Sequence, residues 1–183
     1  MNIILLKLLT SLLLLVAAAG FWIKRDSLQK RFDGLNETIF LGVSWTVLRF
    51  IPFAIVYLVA DYTPQSDVAG FWKEASGAAH GQVVYRDFWC PYSPLYPYFL
   101  AMWVNVWYNS KMLIIAMACM DGLALVLTNK FFQHTYTKGY RLWISLMYLV
   151  LPGSLMLCII GGQEDIWMWL MLLSSILLKQ RFQ

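Results

Sequence analysis

The apolar residues of this chain fall in long blocks separated by short polar stretches, not in the one-faced or alternating patterns of a water-soluble core. A helix that crosses a bilayer takes about 20 mostly apolar residues. Ile3 to Ile23 meets that length, and a second block runs from about Ile39 to Ala60, with Arg49 near its middle and Pro52 as a kink. Lys111 to about Thr128 forms a third block around Asp121. A fourth, Leu142 to Ile160, is bent at Pro152 and Gly153, and Ile166 to Leu178 is the fifth. Between the second and third blocks the pattern changes. Val68, Phe71, Trp72 and Ala75 recur at helical spacing within Asp67 to Ala79, which predicts a short helix lying along the membrane surface. Pro94 to Tyr108 is short for a span and carries three Tyr and two Trp, so it predicts an interfacial or re-entrant helix. The expected fold class is therefore all-α, a multi-pass transmembrane helical protein of about five spans with interfacial helices in one outer loop.

Charge orients these blocks. Lys24, Arg25, Lys30 and Arg31 follow the first, Lys130, Lys138 and Arg141 follow the third, and Lys179 and Arg181 follow the fifth. Short basic loops stay on the cytoplasmic side, which puts residues 61–93, with Asp61, Asp67, Glu74 and Asp87, on the outer face. The chain then divides into an N-terminal anchor with its basic cytoplasmic loop, 1–35, and a transmembrane module, 36–183, in a plasma or endoplasmic reticulum membrane. Ala17, Ala18 and Ala19 could end a secretory signal, but the bases follow the apolar run instead of preceding it, which favours a retained anchor. The net charge of +4 is thus read as topology, and no nucleic-acid partner is expected.

Composition narrows the function. Sixty per cent of the residues are hydrophobic and 13% charged, against roughly 25% charged in a soluble domain, so no large catalytic domain lies outside the bilayer. Cys90, Cys119 and Cys158 are widely spaced and carry neither a disulfide framework nor a metal-ligand motif. Arg49 and Asp121 lie inside spans, where a lone charge costs several kcal/mol, and the simplest expectation is that they pair. As intramembrane polar groups they also leave a transporter or channel subunit as a third reading. The topology brings two acidic stretches to one face, the loop with Asp67 and Asp87 and the turn Gly161-Gly162-Gln163-Glu164-Asp165. Such carboxylates can hold a divalent cation, with Asp67, Asp87 and Asp165 as the candidate ligands, or take a proton from a hydroxyl. They can equally be acids that only solvate a loop and complement the bases inside.

The segment Asp67 to Tyr98 resembles the first large outer loop of polyprenyl-phosphate-sugar-dependent glycosyltransferases of the GT-C class, mannosyltransferases among them. It supplies Asp67, Gly81, Tyr85, Arg86, Asp87, Tyr92, Pro94 and Leu95 in that order, and Gly162, Gln163 and Asp165 match a later turn of the same class. The resemblance implies that Asp67 is the catalytic base. It also implies that Tyr85, Arg86, Asp87, Gln163, Glu164 and Asp165 bind substrate, with Arg86 set to meet the donor phosphate through bidentate hydrogen bonds. The implied partners are membrane lipid and a polyprenyl-phosphate sugar donor. Members of the class generally run much longer than this chain, so the likeness is to their N-terminal module. That leaves a non-catalytic subunit, or a module working with a larger membrane protein, as the alternative.

Overall fold

The structure is a computed structural model that describes residues 3–65 and 67–181. Among the described residues nine helices follow in order: α1 (Ile3–Ile23), α2 (Arg25–Asp33), α3 (Glu37–Val59), α4 (Asp67–Ala79), α5 (Leu95–Val104), α6 (Lys111–Phe131), α7 (Lys138–Val150), α8 (Pro152–Gly161) and α9 (Ile166–Arg181). Among the described residues the only β pairing is an isolated bridge between Val84 and Phe88. α4 occupies the segment predicted from its periodicity, and α5 lies within the short aromatic block expected to form an interfacial helix.

Two helices, Glu37–Val59 and Lys111–His134, are long and apolar enough to cross a membrane, each with mean hydropathy 1.9. Two bent pairs raise the number to four if each counts as one span: Lys7–Ile23 with Arg25–Asp33 at 78°, and Lys138–Val150 with Pro152–Gly161 at 61°. The fifth block is a shorter apolar helix, Ile166–Lys179. The polarity of the molecule runs opposite to that of a soluble protein. Leu8, Leu12, Leu13 and Val16 on α1 and Ile39, Val43, Ile55 and Leu58 on α3 are exposed, whereas Arg49 and Asp121 are 0% exposed.

Arg49 organises the middle of the bundle. Its Nε donates to Asp121 Oδ2 at 2.9 Å, and its Nη2 donates to Ser154 Oγ at 2.8 Å. Tyr148 Oη also donates to Asp121, so both carboxylate oxygens are engaged. Prolines explain the remaining bonds. Pro52 has no N–H to give the carbonyl four residues back, that of Leu48, and α3 accommodates this by widening into π turns at Thr46–Phe50 and Ala54–Val59. Arg49 Nη1 donates to that Leu48 carbonyl at 2.9 Å. Pro152 likewise frees the carbonyl of Tyr148 and ends α7. Ser154 Oγ donates to Tyr148 O at 2.6 Å, and Arg49 Nη1 reaches Leu149 O at 2.9 Å. One guanidinium thus ties α3, α6, α7 and α8 together at the two places where proline breaks the helical ladder.

The basic end is held as firmly. α2 lies so close to α7 that a Cβ on Gly139 would stand 2.0 Å from Gln29 O, and Gly139 N donates to Asp33 Oδ1 at 2.6 Å. Arg141, 8% exposed, pairs with Glu37 at 3.1 Å and donates to Asn129 O at 2.8 Å.

Breaking the central pair alone strands a buried charge, so Asp121→Leu should destabilise the detergent-solubilised protein by about 3–5 kcal/mol. Arg49→Met combined with Asp121→Leu should recover most of that loss in the same thermal unfolding measurement, because neither charge is then left without its partner.

Candidate functional site

The site grows from the N-terminus of α4. The inward face of this helix carries Val68, Phe71, Glu74, Ala75 and Ala78, with Asp67 in its first turn. Facing it is the turn that follows α8. Gly162 there adopts the left-handed conformation, φ +61°, and a Cβ on it would stand 2.4 Å from Val68 Cγ2 and 2.7 Å from Ile114 Cδ1. Only glycine meets both the backbone angle and the close approach. That approach delivers the next residue to Asp67: Gln163 Nε2 donates to Asp67 Oδ2 at 2.6 Å, across 96 positions of sequence. The two acidic stretches that the sequence placed on one face therefore touch.

Around this contact stands an aromatic wall. Tyr92 and Tyr96 each lie 5.5 Å from Phe71 and 5.2 Å from one another, and Trp167 closes the far side, 5.9 Å from Tyr96 and 4.4 Å from Phe99. Three carboxylates act on Tyr92. Burial first, then the nearby carboxylates of Glu164, Asp67 and Glu74, push its phenol up to about 12. Burial, followed by the Glu164 charge, also raises Tyr96. Tyr96 Oη and Glu164 Oε2 are buried with no hydrogen-bond partner. Glu74, 8% exposed, accepts a hydrogen bond from Cys90 Sγ at 3.3 Å, and burial raises its carboxyl above the ordinary glutamate value.

The Tyr85-Arg86-Asp87 element is built differently. Asp87 Oδ2 accepts from Val83 N at 2.8 Å, and the Nε–Nη2 edge of Arg86 donates to Asp87 at 2.9 and 2.8 Å. The Arg86 hydrogen bonds, ahead of that from Val83, hold the Asp87 carboxyl down at about 2. Tyr85 is left-handed at φ 65°, and its hydroxyl donates to Tyr92 O at 2.7 Å. The structure thus uses all three residues to pin a compact loop. The bidentate edge of Arg86 that the sequence reading reserved for a phosphate is taken by Asp87. Asp165, exposed, starts α9 through its carbonyl and lines a cavity described below.

These residues do not fit a carboxylate-held divalent cation. Among the described residues no three His, Cys, Asp or Glu side chains gather in metal-ligand geometry, and both oxygens of Asp87 are already engaged. What the arrangement can do is accept a proton at Asp67 and hydrogen-bond a polyhydroxylated ligand lying against the aromatic wall.

No protein-family model, curated protein or solved structure matches this chain. The chemistry of the site rests on its own geometry.

Glu74, Tyr96 and Trp167 are the members that sequence reading missed. Glu74 follows Asp67 by seven residues, two helical turns, and so faces the same way, a signal legible once the helix was assigned. Tyr96 was absorbed into the interfacial aromatic count.

Gly162→Ala should cost at least about 1–2 kcal/mol from the left-handed backbone alone, with more from the contact with Val68, read as a lower Tm in detergent. Glu74 makes the second test. Its folded carboxyl titrates above its unfolded value, near 4.3, so the folded state binds the extra proton in that window and stability falls as pH rises through it. Glu74→Gln should flatten that fall in unfolding curves taken from about pH 4 upward.

Proposed function

We propose that this chain is a membrane-embedded transferase module that moves a sugar from a polyprenyl-phosphate donor to an acceptor hydroxyl. On this reading it crosses the membrane about five times, with α4, α5 and the turn after α8 at one face. The observation that carries the proposal is the 2.6 Å contact between Asp67 and Gln163, beside a tyrosine wall and the buried Oε2 of Glu164. The pattern of motifs that suggested a GT-C-like loop supports the same pairing of stretches.

Asp67 takes the proton of the acceptor hydroxyl as its oxygen bonds to the anomeric carbon. The bond from that carbon to the lipid phosphate breaks, and the phosphate leaves with the electron pair, so transfer inverts the anomeric centre. Gln163 fixes the rotamer of Asp67 through Oδ2 and leaves Oδ1 for the proton. Tyr92, Tyr96 and Trp167 offer apolar faces to a sugar ring, while Glu164 accepts from its hydroxyls. Arg86 keeps its Nη1 group for the phosphate, its other edge being held by Asp87.

One feature favours a second reading, that of a non-catalytic subunit. The Tyr85-Arg86-Asp87 loop is bonded to itself and gives the departing phosphate no full clamp.

Transfer of sugar from a polyprenyl-phosphate donor, assayed in membranes carrying the chain, decides between them. Asp67→Asn should slow turnover by about 10²–10⁴-fold, the usual worth of a general base. Undiminished turnover in that variant would remove Asp67 from the reaction and the transferase reading with it.

A further inference from the structure

A cavity of about 950 Å³ lies between α6, α7, α8 and α9, near the top of the ~300–1,000 Å³ range typical of ligand pockets. Its lining runs from Phe132 and Tyr136, at the basic end of the bundle, to Gln163 and Asp165 in the turn after α8. The walls are mostly apolar and open along one side. Ile144, Leu151, Leu157 and Trp169 line the cavity and are exposed at the same time. In a bundle whose outer surface is apolar, such an opening faces hydrocarbon, so it admits a lipid chain and not a solute from water.

The polar lining sets the sign of what can enter. Thr128 Oγ1 accepts from Trp169 Nε1 at 3.0 Å, and Asn129 Nδ2 donates to Ser145 Oγ at 3.0 Å. Arg141 is the one cation of the lining, and Glu37 already pairs with it at 3.1 Å. At the other end stands the exposed carboxylate of Asp165. Gln163 beside it gives its amide N–H to Asp67 at 2.6 Å, which leaves its carbonyl oxygen as an acceptor. That end repels a phosphate and accepts from a hydroxyl. Gln163 also joins the cavity to the candidate site, since it lines the one and bonds the base of the other.

We propose that the acceptor in the transfer reaction is a neutral lipid alcohol of the diacylglycerol type, whose chains lie in this cavity and whose free hydroxyl is presented to Asp67 at the Gln163 end. The inference rests on the transferase reading above and names its acceptor. The hydroxyl proton passes to Asp67 as the lipid oxygen bonds the anomeric carbon, and the polyprenyl phosphate departs with the electron pair of the broken bond. The proton then returns to water, and the product is a glycosyl lipid. The side opening selects a lipid over a soluble acceptor, and the acidic end selects an uncharged alcohol over the phosphate-bearing donor.

Native mass spectrometry of the full chain in detergent tests the site, with diacylglycerol and phosphatidic acid of identical chains as probes. The wild type should retain one diacylglycerol with a preference of about tenfold or more over phosphatidic acid. Asp165→Lys should erase or reverse that preference. Ile144→Trp together with Leu157→Trp sets two indoles across the side opening, away from the polar contacts, and should cut retention of both lipids. Asp67→Asn should retain diacylglycerol as the wild type does. Equal or stronger retention of phosphatidic acid by the wild type would overturn the proposal. So would unchanged retention in the double tryptophan variant, or a dimer of the chain that excludes lipid, which would mark the opening as a seat for a second copy. With donor supplied, membranes carrying the wild type should convert added diacylglycerol to its glycoside. Sugar transfer that passes diacylglycerol by defeats the acceptor assignment alone, whereas undiminished transfer in Asp67→Asn defeats the transferase reading itself.

Discussion

The buried guanidinium of Arg49 is the constraint from which the rest of the structure follows. A charge removed from water is tolerable only when its donors find acceptors, and here Asp121, Ser154 and two backbone carbonyls engage all three nitrogens of the guanidinium. Those carbonyls come from Leu48 and Leu149, beside the breaks made by Pro52 and Pro152. The prolines and the arginine therefore solve one another's problems: each break exposes an acceptor, and the buried cation needs acceptors. Without the breaks the guanidinium would be underbonded, and without the guanidinium the breaks would leave bare carbonyls in an apolar centre.

The same contacts set the position of the candidate site. α8 hangs from α3 at two points. Ser154 near its start bonds Arg49, and the carbonyls of Ile159 and Ile160 near its end accept from Tyr57 Oη at 2.9 and 3.2 Å. Arg49 and Tyr57 are about 12 Å apart along α3 at 1.5 Å per residue, which fixes the tilt of α8. Gly162 and Gln163 follow directly, so the side chain that meets Asp67 is carried on a strut braced at both ends.

Much of this was legible in the sequence, for reasons that differ by element. Blocks of apolar residues gave the helices because lipid-length runs have few other uses, and the spacing of Val68, Phe71 and Ala75 gave α4 to its ends. The pairing of Arg49 with Asp121 followed from the cost of leaving either alone. Harder to read were features that depend on depth and angle. The 61° bend at Pro152 and the shortness of α9 leave two to four clear crossings where about five blocks were counted. The Arg86 to Asp87 pair was also out of reach. Neighbouring opposite charges bond one another only when the loop curls, and that curl depends on a left-handed Tyr85 that no residue preference announces.

The electrostatics of the site argue for a neutral, hydroxyl-rich ligand over a charged one. Burial first, then Glu164, Asp67 and Glu74, raise Tyr92, so the enclosure already opposes further negative charge. Burial penalises the ionised form of Glu74 for the same reason. A sugar ring brings hydroxyl donors to acceptors that lack them, such as Glu164 Oε2, and apolar faces to the aromatic wall, without adding charge. In the proposed reaction the departing phosphate would meet water and the free Nη1 of Arg86, while Gln163 holds the base by its Oδ2.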